Sequence, residues 1–458
     1  MSTARDLANF LVKVTAADLP AQALDHAAVL IASTIASAAM GSGLESAGIV
    51  KDMAASLGGS ARASVWFDTG PDGGAKLPVV AAAQVNAVMS DGAASDDSDL
   101  RTIVHCGTPL VATALAAAEH HGGSGEDVLT AIVLGYEMAG RIIDAMPGFR
   151  ERGFHGSNAA IFAATGAAAR LLRLDADQTT HAIALAATST GGLAKAADTS
   201  VAREYHAGMA TANGIQAVRA AQRGYRVEER ILEMPLGFFE AFGGVDGTAA
   251  AAAATRALGT SWDIVTDMAV KLVPGGHPYH ALAEAAANAA RDGRIAAAEV
   301  DSITVSRPGM TALTGPLHPK DLIDMAHSPA YFLAAGVADR DFSWVHASAA
   351  KIADPVIHGL IDKVRVGPPP VDNAERYRQG ATVTIRTRDG RSFSSTVYAP
   401  KGSGMLGIAW ADIDAKFRAL VPLAGLGDRQ IEASLGIIHD LRRLAGVAAL
   451  TNLLRPGG

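Results

Sequence analysis

Small apolar residues recurring at helical spacing through the first half of the chain constrain its fold more than any other feature. From Asp6 to about Leu258, Ala, Leu, Ile and Val return every three or four residues, with Gly or Pro between the runs, which is the period of a helix with a buried stripe. Stretches such as Ala159 to Ala169 (AAIFAATGAAA) carry little side-chain bulk. Helix axes approach closely there, and most faces of such a helix need covering by other helices. Asp18 and Pro20 mark one helix start. Ser124-Gly125-Glu126-Asp127 and Asp175-Ala176-Asp177-Gln178 resemble capping boxes, each ahead of an apolar run. The longest uncharged stretch, Ala27 to Leu44, is mostly Ala with Ser, Thr and Gly, ordinary for a buried helix and weak for a membrane span.

The texture changes after Trp262. Ile303 to Ser306 and Lys363 to Val366 read as short strands, and Thr382 to Thr387 with Ser392 to Tyr398 alternate around Asp389-Gly390 as a hairpin. Helical segments lie between them at His280 to Arg291 and Tyr331 to Ala338. After Pro400 the pattern is helical again, at Trp410 to Leu420 and Ile431 to Leu454. The fold expected is therefore mostly α with a smaller α+β domain. Residues 1–265 and 402–458 form a large multi-helix domain built from both chain ends, and residues 266–401 an inserted α+β lid. Gly402-Ser403-Gly404-Met405-Leu406-Gly407 matches a dinucleotide-binding glycine pattern, but the strand before it belongs to a hairpin and no parallel βαβ continuation follows, so no nucleotide cofactor is expected.

Net charge is −7, with 39 basic and 46 acidic residues and no clustered basic run among 458, which argues against a nucleic acid or an anionic membrane as partner. A small molecule is the partner expected. The single cysteine, Cys106, excludes an intrachain disulfide and cannot alone hold a cluster or a structural zinc. The N-terminus shows no charged stretch leading into an apolar one, so a cytoplasmic protein is expected.

Five polar clusters stand ahead of helices. Asp96 to His105 contains Asp97, Ser98 and Arg101 and precedes a run from Pro109; Gly153-Phe154-His155 precedes one from Ala159; Arg203 to Gly208 contains His206. Lys271 to His280 contains His277, and Asp324 to Tyr331 opens the last. Each has an ordinary structural explanation, since Asp and Ser are common caps. Recurrence is the signal: helix N-termini with Arg, Lys and His are what binding several carboxylates requires. His277 and His280 are spaced across a proline with no nearby Cys or acidic ligand, so no metal site is expected.

Taken together, Ser95-Asp96-Asp97-Ser98 with His105, Gly153-Phe154-His155, Tyr205-His206-Ala207-Gly208, Lys271 with Pro274 and His280, and His327-Ser328 with Tyr331 resemble the MmgE/PrpD family over nearly the whole chain. That family includes 2-methylcitrate dehydratase, cis-aconitate decarboxylase and an iminodisuccinate epimerase. The resemblance implies a helical domain with a smaller α+β lid, a homodimer, and an active site using no metal or cluster. It maps His105 and His155 onto active-site histidines, Lys271 onto a lysine at the domain junction and Tyr331 onto a site tyrosine. His277 falls one position after the family's decarboxylase histidine. Two departures stand out: Ala94 where the family often has Asp, and Arg203 where it usually has Lys.

The expected activity is a cofactor-independent lyase for a small di- or tricarboxylate. Arg203, Lys271 and Arg101 neutralise carboxylates, aided by Asp97, Ser98, His206, His277 and His280 as binding residues. His105 or His155 moves a proton at the carbon next to a carboxylate, and another histidine or Tyr331 serves as acid. Epimerisation in the same fold and a non-catalytic carboxylate-binding paralogue are the alternatives.

Overall fold

In a computed structural model, residues 2–70 and 74–456 are described. They fall into two units, Met1–Val270 with Ala409–Gly458, and Lys271–Ile408. These boundaries differ from those expected at 265/266 and 401/402. Met268–Val270 pairs antiparallel with Asp97–Asp99, with Ser98 opposite Ala269, and that ladder ties the segment to the first unit.

The first unit is a stack of helices. Gly125–Asp144 packs on Ser157–Leu171, and Ala202–Gln222 packs on Val79–Gly92, Ser157–Leu171 and Ala176–Thr188. Both anticipated capping boxes form: Ser124 accepts from the Asp127 amide and Asp175 from the Gln178 amide. Ala21–Gly41 starts right after Pro20. It is the one helix among the described residues long and apolar enough to cross a membrane, yet 89% of its most apolar window is buried inside the fold, as a core helix requires. Trp410–Leu420 and Asp428–His439 return to pack on it. The expected single run from Ile431 to Leu454 is broken. Asp428–His439 ends before Asp440, a short turn covers Leu441–Arg443, and Ala448–Leu453 resumes after Gly446.

In the second unit a four-stranded sheet runs in the order Val364–Val366, Val300–Ser306, Ala381–Thr387, Ser392–Val397. The first two strands are parallel and the rest antiparallel. The hairpin turns at Asp389-Gly390, with Gly390 at φ 91°. Ala381, Val383, Ile385 and Thr387 alternate inward; the apolar three join a core with the helices His277–Asp292 and Pro329–Asp339. The Gly402–Gly407 segment holds only the short turn Gly404–Leu406, and no helix N-terminus follows directly to receive a pyrophosphate.

Gly135 shows how tightly the helical unit is built. A Cβ there would stand 2.6 Å from Leu110 Cδ1 and 2.8 Å from the Ala163 carbonyl oxygen. Gly135→Ala is expected to destabilise the unit by about 1–3 kcal/mol through overpacking, seen as a lower denaturation midpoint at unchanged slope.

Candidate functional site

The Asp96 to His105 stretch is a short strand and a tight turn, held in an uncommon backbone. Ala94 and Ile103 both lie in the left-handed region, at φ 52° and 55°. For the β-branched Ile103 this is a strained conformation that persists only where surroundings over-determine it. Three such restraints are visible: the ladder to Met268–Val270, the Asp99 amide donating to Val104 O (2.9 Å), and the Leu100 amide donating to Asp267 O (2.9 Å).

Arg101 supplies the fourth. Its Nη2 lies 2.7 Å from Asp99 Oδ2 and 2.6 Å from Asp263 Oδ2, its Nε 3.5 Å from Asp267, and its Nη1 3.7 Å from Asp144. Burial opposes the guanidinium charge, but the hydrogen bond and charge of Asp99, with Asp263 and Asp267, hold its pKa well above the ordinary value. Nη2 and Nε of Arg101 are thus engaged by the chain's own carboxylates, which leaves only part of its fork for the carboxylate clamp expected of it. Asp97 is likewise an internal group. Its Oδ1 accepts from the Gly107 amide at 2.9 Å, so the N-terminus of Gly107–His121, which suited an anionic ligand, receives a carboxylate from the chain itself. Cys106 is buried, and burial with the charges of Asp97, Asp99 and Asp263 pushes its thiol far up, which removes it as a nucleophile.

His105 is differently placed. Its Nδ1 lies 2.6 Å from the Asp97 carbonyl oxygen, 2.8 Å from Asp96 Oδ2 and 3.3 Å from Ser98 Oγ. The Asp97 carbonyl oxygen can only accept, so Nδ1 is the donor there, and Asp96 Oδ2 stands beside the ring as an ion-pair contact. His155 is buried, with Nδ1 3.2 Å from Ser157 Oγ and its ring centroid 5.2 Å from that of His206. Burial, then the charges of His105, His206, Arg150 and Arg203, push it well below the usual histidine range. Burial lowers His206 too, against the pull of Asp91. The loop at Gly191-Gly192 closes over this pair: the His155 amide donates to Gly192 O (3.1 Å). At φ 132°, a Cβ on Gly192 would stand 2.5 Å from Ser157 Oγ and 3.2 Å from the His206 ring.

Arg203 sits in the first turn of Ala202–Gln222 as expected, but its fork is largely engaged. Nε donates to Asp91 Oδ2 (2.8 Å), and Nη2 to the Asp91 and Gly92 carbonyls (2.6 and 3.3 Å). Burial opposes its charge, and Asp91, Asp96 and Glu204 together raise its pKa. Nη1 is the nitrogen left to face a ligand, so a side-on bidentate clamp is not available.

In the second unit, Lys271 is buried at its first position. His277 opens the helix His277–Asp292, with its ring centroid 4.7 Å from that of His280, whose Nε2 lies 3.3 Å from Gly275 O. Tyr331 is fully buried in that unit's core, and its hydroxyl donates to His346 O at 2.9 Å. Burial raises its pKa. Its proton is committed to the backbone, a packing duty in place of the acid role expected. Among the described residues one trio has metal-ligand spacing, Asp177, His181 and Glu229, but Arg5 pairs with Asp177 and Glu229, and Arg226 with Asp177. These cations do what a metal would do there.

Asp91, Asp96 and Lys416 were not singled out from sequence as site residues. Lys416 leaves one trace there: it falls on the apolar stripe Ile413, Phe417, Leu420, an unusual address for an ammonium.

The first unit is helical and takes its residues from both ends of the chain, and the second, continuous in sequence, is α+β. Residues 5–249 match the MmgE/PrpD N-terminal domain and residues 274–436 the MmgE/PrpD C-terminal domain; the chain belongs to the MmgE/PrpD family. It is similar to a human cis-aconitate decarboxylase, 25% identical over 397 residues, covering 83% of this chain and 80% of that one. A mouse cis-aconitate decarboxylase is 24% identical over 393 residues, covering 83% and 79%. A cis-aconitate decarboxylase-like protein of Aspergillus oryzae is 28% identical over 249 residues, about half of each chain (51% and 50%).

Two outcomes follow. Arg101→Leu leaves Asp99, Asp263 and Asp267 uncompensated and is expected to cost about 3–5 kcal/mol, read by urea denaturation. For His155, the folded pKa lies below the ordinary 6.5. Below that value the unfolded chain binds a proton that the folded chain refuses, so stability falls as pH drops through this window. His155→Gln should flatten that acid-side slope; an unchanged slope would contradict the burial account.

Proposed function

We propose that the chain is a lyase acting on a small di- or tricarboxylate, with His105 Nε2 as the base that takes a proton from carbon next to a carboxylate. The observation that carries this is the Nδ1 environment of His105. The Asp97 carbonyl and Asp96 carboxylate fix the ring and its tautomer, and the negative charge stabilises the imidazolium formed on proton uptake. His155, kept neutral by burial, adds no second positive charge beside it. Arg203 Nη1 is the first unit's cation assigned to a substrate carboxylate. The relatives named cis-aconitate decarboxylase support carbon dioxide loss from a cis-aconitate-like substrate, in which the bonding pair left on carbon as carbon dioxide departs takes a proton that His105 Nε2 has first drawn from solvent. Elimination of water from a 2-methylcitrate-like substrate uses the same base in the forward sense. No metal takes part in this scheme, and a homodimer, as the family resemblance implies, is its assembly state.

Incubating the protein with a panel of di- and tricarboxylates in heavy water, followed by proton NMR, tests the reading. Lyase action appears as a new alkene or as carbon dioxide loss. Solvent exchange without net conversion would indicate an epimerase, and no change with any substrate would indicate a carboxylate-binding paralogue. With the substrate so identified, His105→Gln is expected to lower kcat about 10²–10⁴-fold with little change in KM; activity within a few-fold of the parent would remove His105 from the mechanism.

A further inference from the structure

Lys416 is 2% exposed, on the inward face of the helix Trp410–Leu420 with Ile413, Phe417 and Leu420. A buried ammonium is costly unless its protons are taken up by acceptors. Lys416 Nζ donates to Ser33 Oγ (2.8 Å), Ser37 Oγ (3.2 Å) and the Ser95 carbonyl oxygen (2.5 Å). Ser33 and Ser37 stand one helical turn apart on Ala21–Gly41. Ser37 Oγ lies within donating distance of two carbonyls, Ser33 O (2.9 Å) and Ser95 O (2.6 Å). The Ser95 carbonyl is therefore gripped from two helices that enter the fold from opposite ends of the chain.

That carbonyl belongs to the peptide joining Ser95 to Asp96. On one side of it stands Ala94, in its left-handed conformation. On the other is the carboxylate 2.8 Å from His105 Nδ1. We propose that Lys416 is a positioning residue: by fixing the Ser95–Asp96 peptide it aims the Asp96 carboxylate at His105 and holds the ring in its working tautomer. The inference rests on the reading of His105 as base for its consequence on turnover, and on geometry alone for its consequence on the His105 ring. Charge-assisted hydrogen bonds to a backbone carbonyl are strong and directional. Loss of this one frees a strained segment to relax, and a shift of a catalytic group by about 1 Å is enough to lower a rate about a hundredfold.

The test reads the His105 ring directly. A proton on imidazole Nδ1 beside a carboxylate gives a low-field proton NMR signal, assigned here by its loss in His105→Gln, and Asp96→Asn sets the response to losing the carboxylate. In Lys416→Met, which keeps the length and removes the donors, the signal is expected to move towards its Asp96→Asn position and to exchange with water about tenfold faster or more. The double variant should respond no further than Asp96→Asn alone, because both changes break the same contact. Ser37→Ala retains the lysine and removes one grip on Ser95, and should give the same change at smaller size, which keeps the proposal testable if Lys416→Met does not fold. With an identified substrate, kcat should fall and KM stay within about threefold. A parental signal in folded Lys416→Met or in Ser37→Ala, or additive responses in the double variant, would overturn the positioning role. A chain that proves to have no lyase activity but shows the expected NMR changes would refute the functional reading and leave the positioning intact.

Discussion

The half-buried guanidinium of Arg101 is the interaction on which the polar loop depends. Asp99 lies two residues away in sequence, whereas Asp263 and Asp267 arrive from the segment that ends the first unit's long N-terminal portion. Pairing of Asp97–Asp99 with Met268–Val270 brings those carboxylates together, and without the cation the pairing would concentrate uncompensated negative charge in a buried place. Burial raises Asp99, and raises Asp263 with help from its neighbour Glu137, which measures how crowded with negative charge the cluster remains. Glu137 accepts from the Asp263 amide (2.7 Å) and pairs with Arg141, carrying the network on into Gly125–Asp144. Backbone strain at Ile103 is sustained inside this frame.

Against that frame the histidines divide into two kinds. His105 is paired with a carboxylate; His155 and His206 face each other where burial favours their neutral forms. Burial disfavours the charged form of both facing imidazoles, whereas His105 lies against a carboxylate, so the three rings do not share one electrostatic environment. Arg203 adds positive charge nearby while staying tied to Asp91, so the cationic character of the place is a fixed feature of the fold.

What was legible in the sequence was local. Capping boxes at Ser124 and Asp175, the hairpin around Asp389-Gly390 and the helix starting after Pro20 need only neighbours within four residues, and all form. The family landmarks pointed to His105, His155 and His206, and the fold brings these to one place in the first unit. What was hidden is non-local. Asp97–Asp99 is three residues of polar character with no alternation to announce a strand, and it exists because Met268–Val270 pairs with it. Arg203 reads as a free cation because its partner Asp91 lies 112 residues away, and Arg101, with Asp99 close in sequence, gains a second carboxylate, Asp263, from 162 residues away. Tyr331 carried a family landmark, yet the acceptor of its hydroxyl is a backbone carbonyl that no residue identity encodes.

The grip of Lys416 on Ser95 spans 321 residues. A ribosome releases the chain from its N-terminus, so Ser33, Ser37 and the Asp96 loop emerge long before the lysine that secures them. During that interval the early helices can form and pack, while the loop waits with a strained backbone and a carboxylate not yet aimed. The Ser95 peptide therefore stays without this anchor until residue 416 has been made.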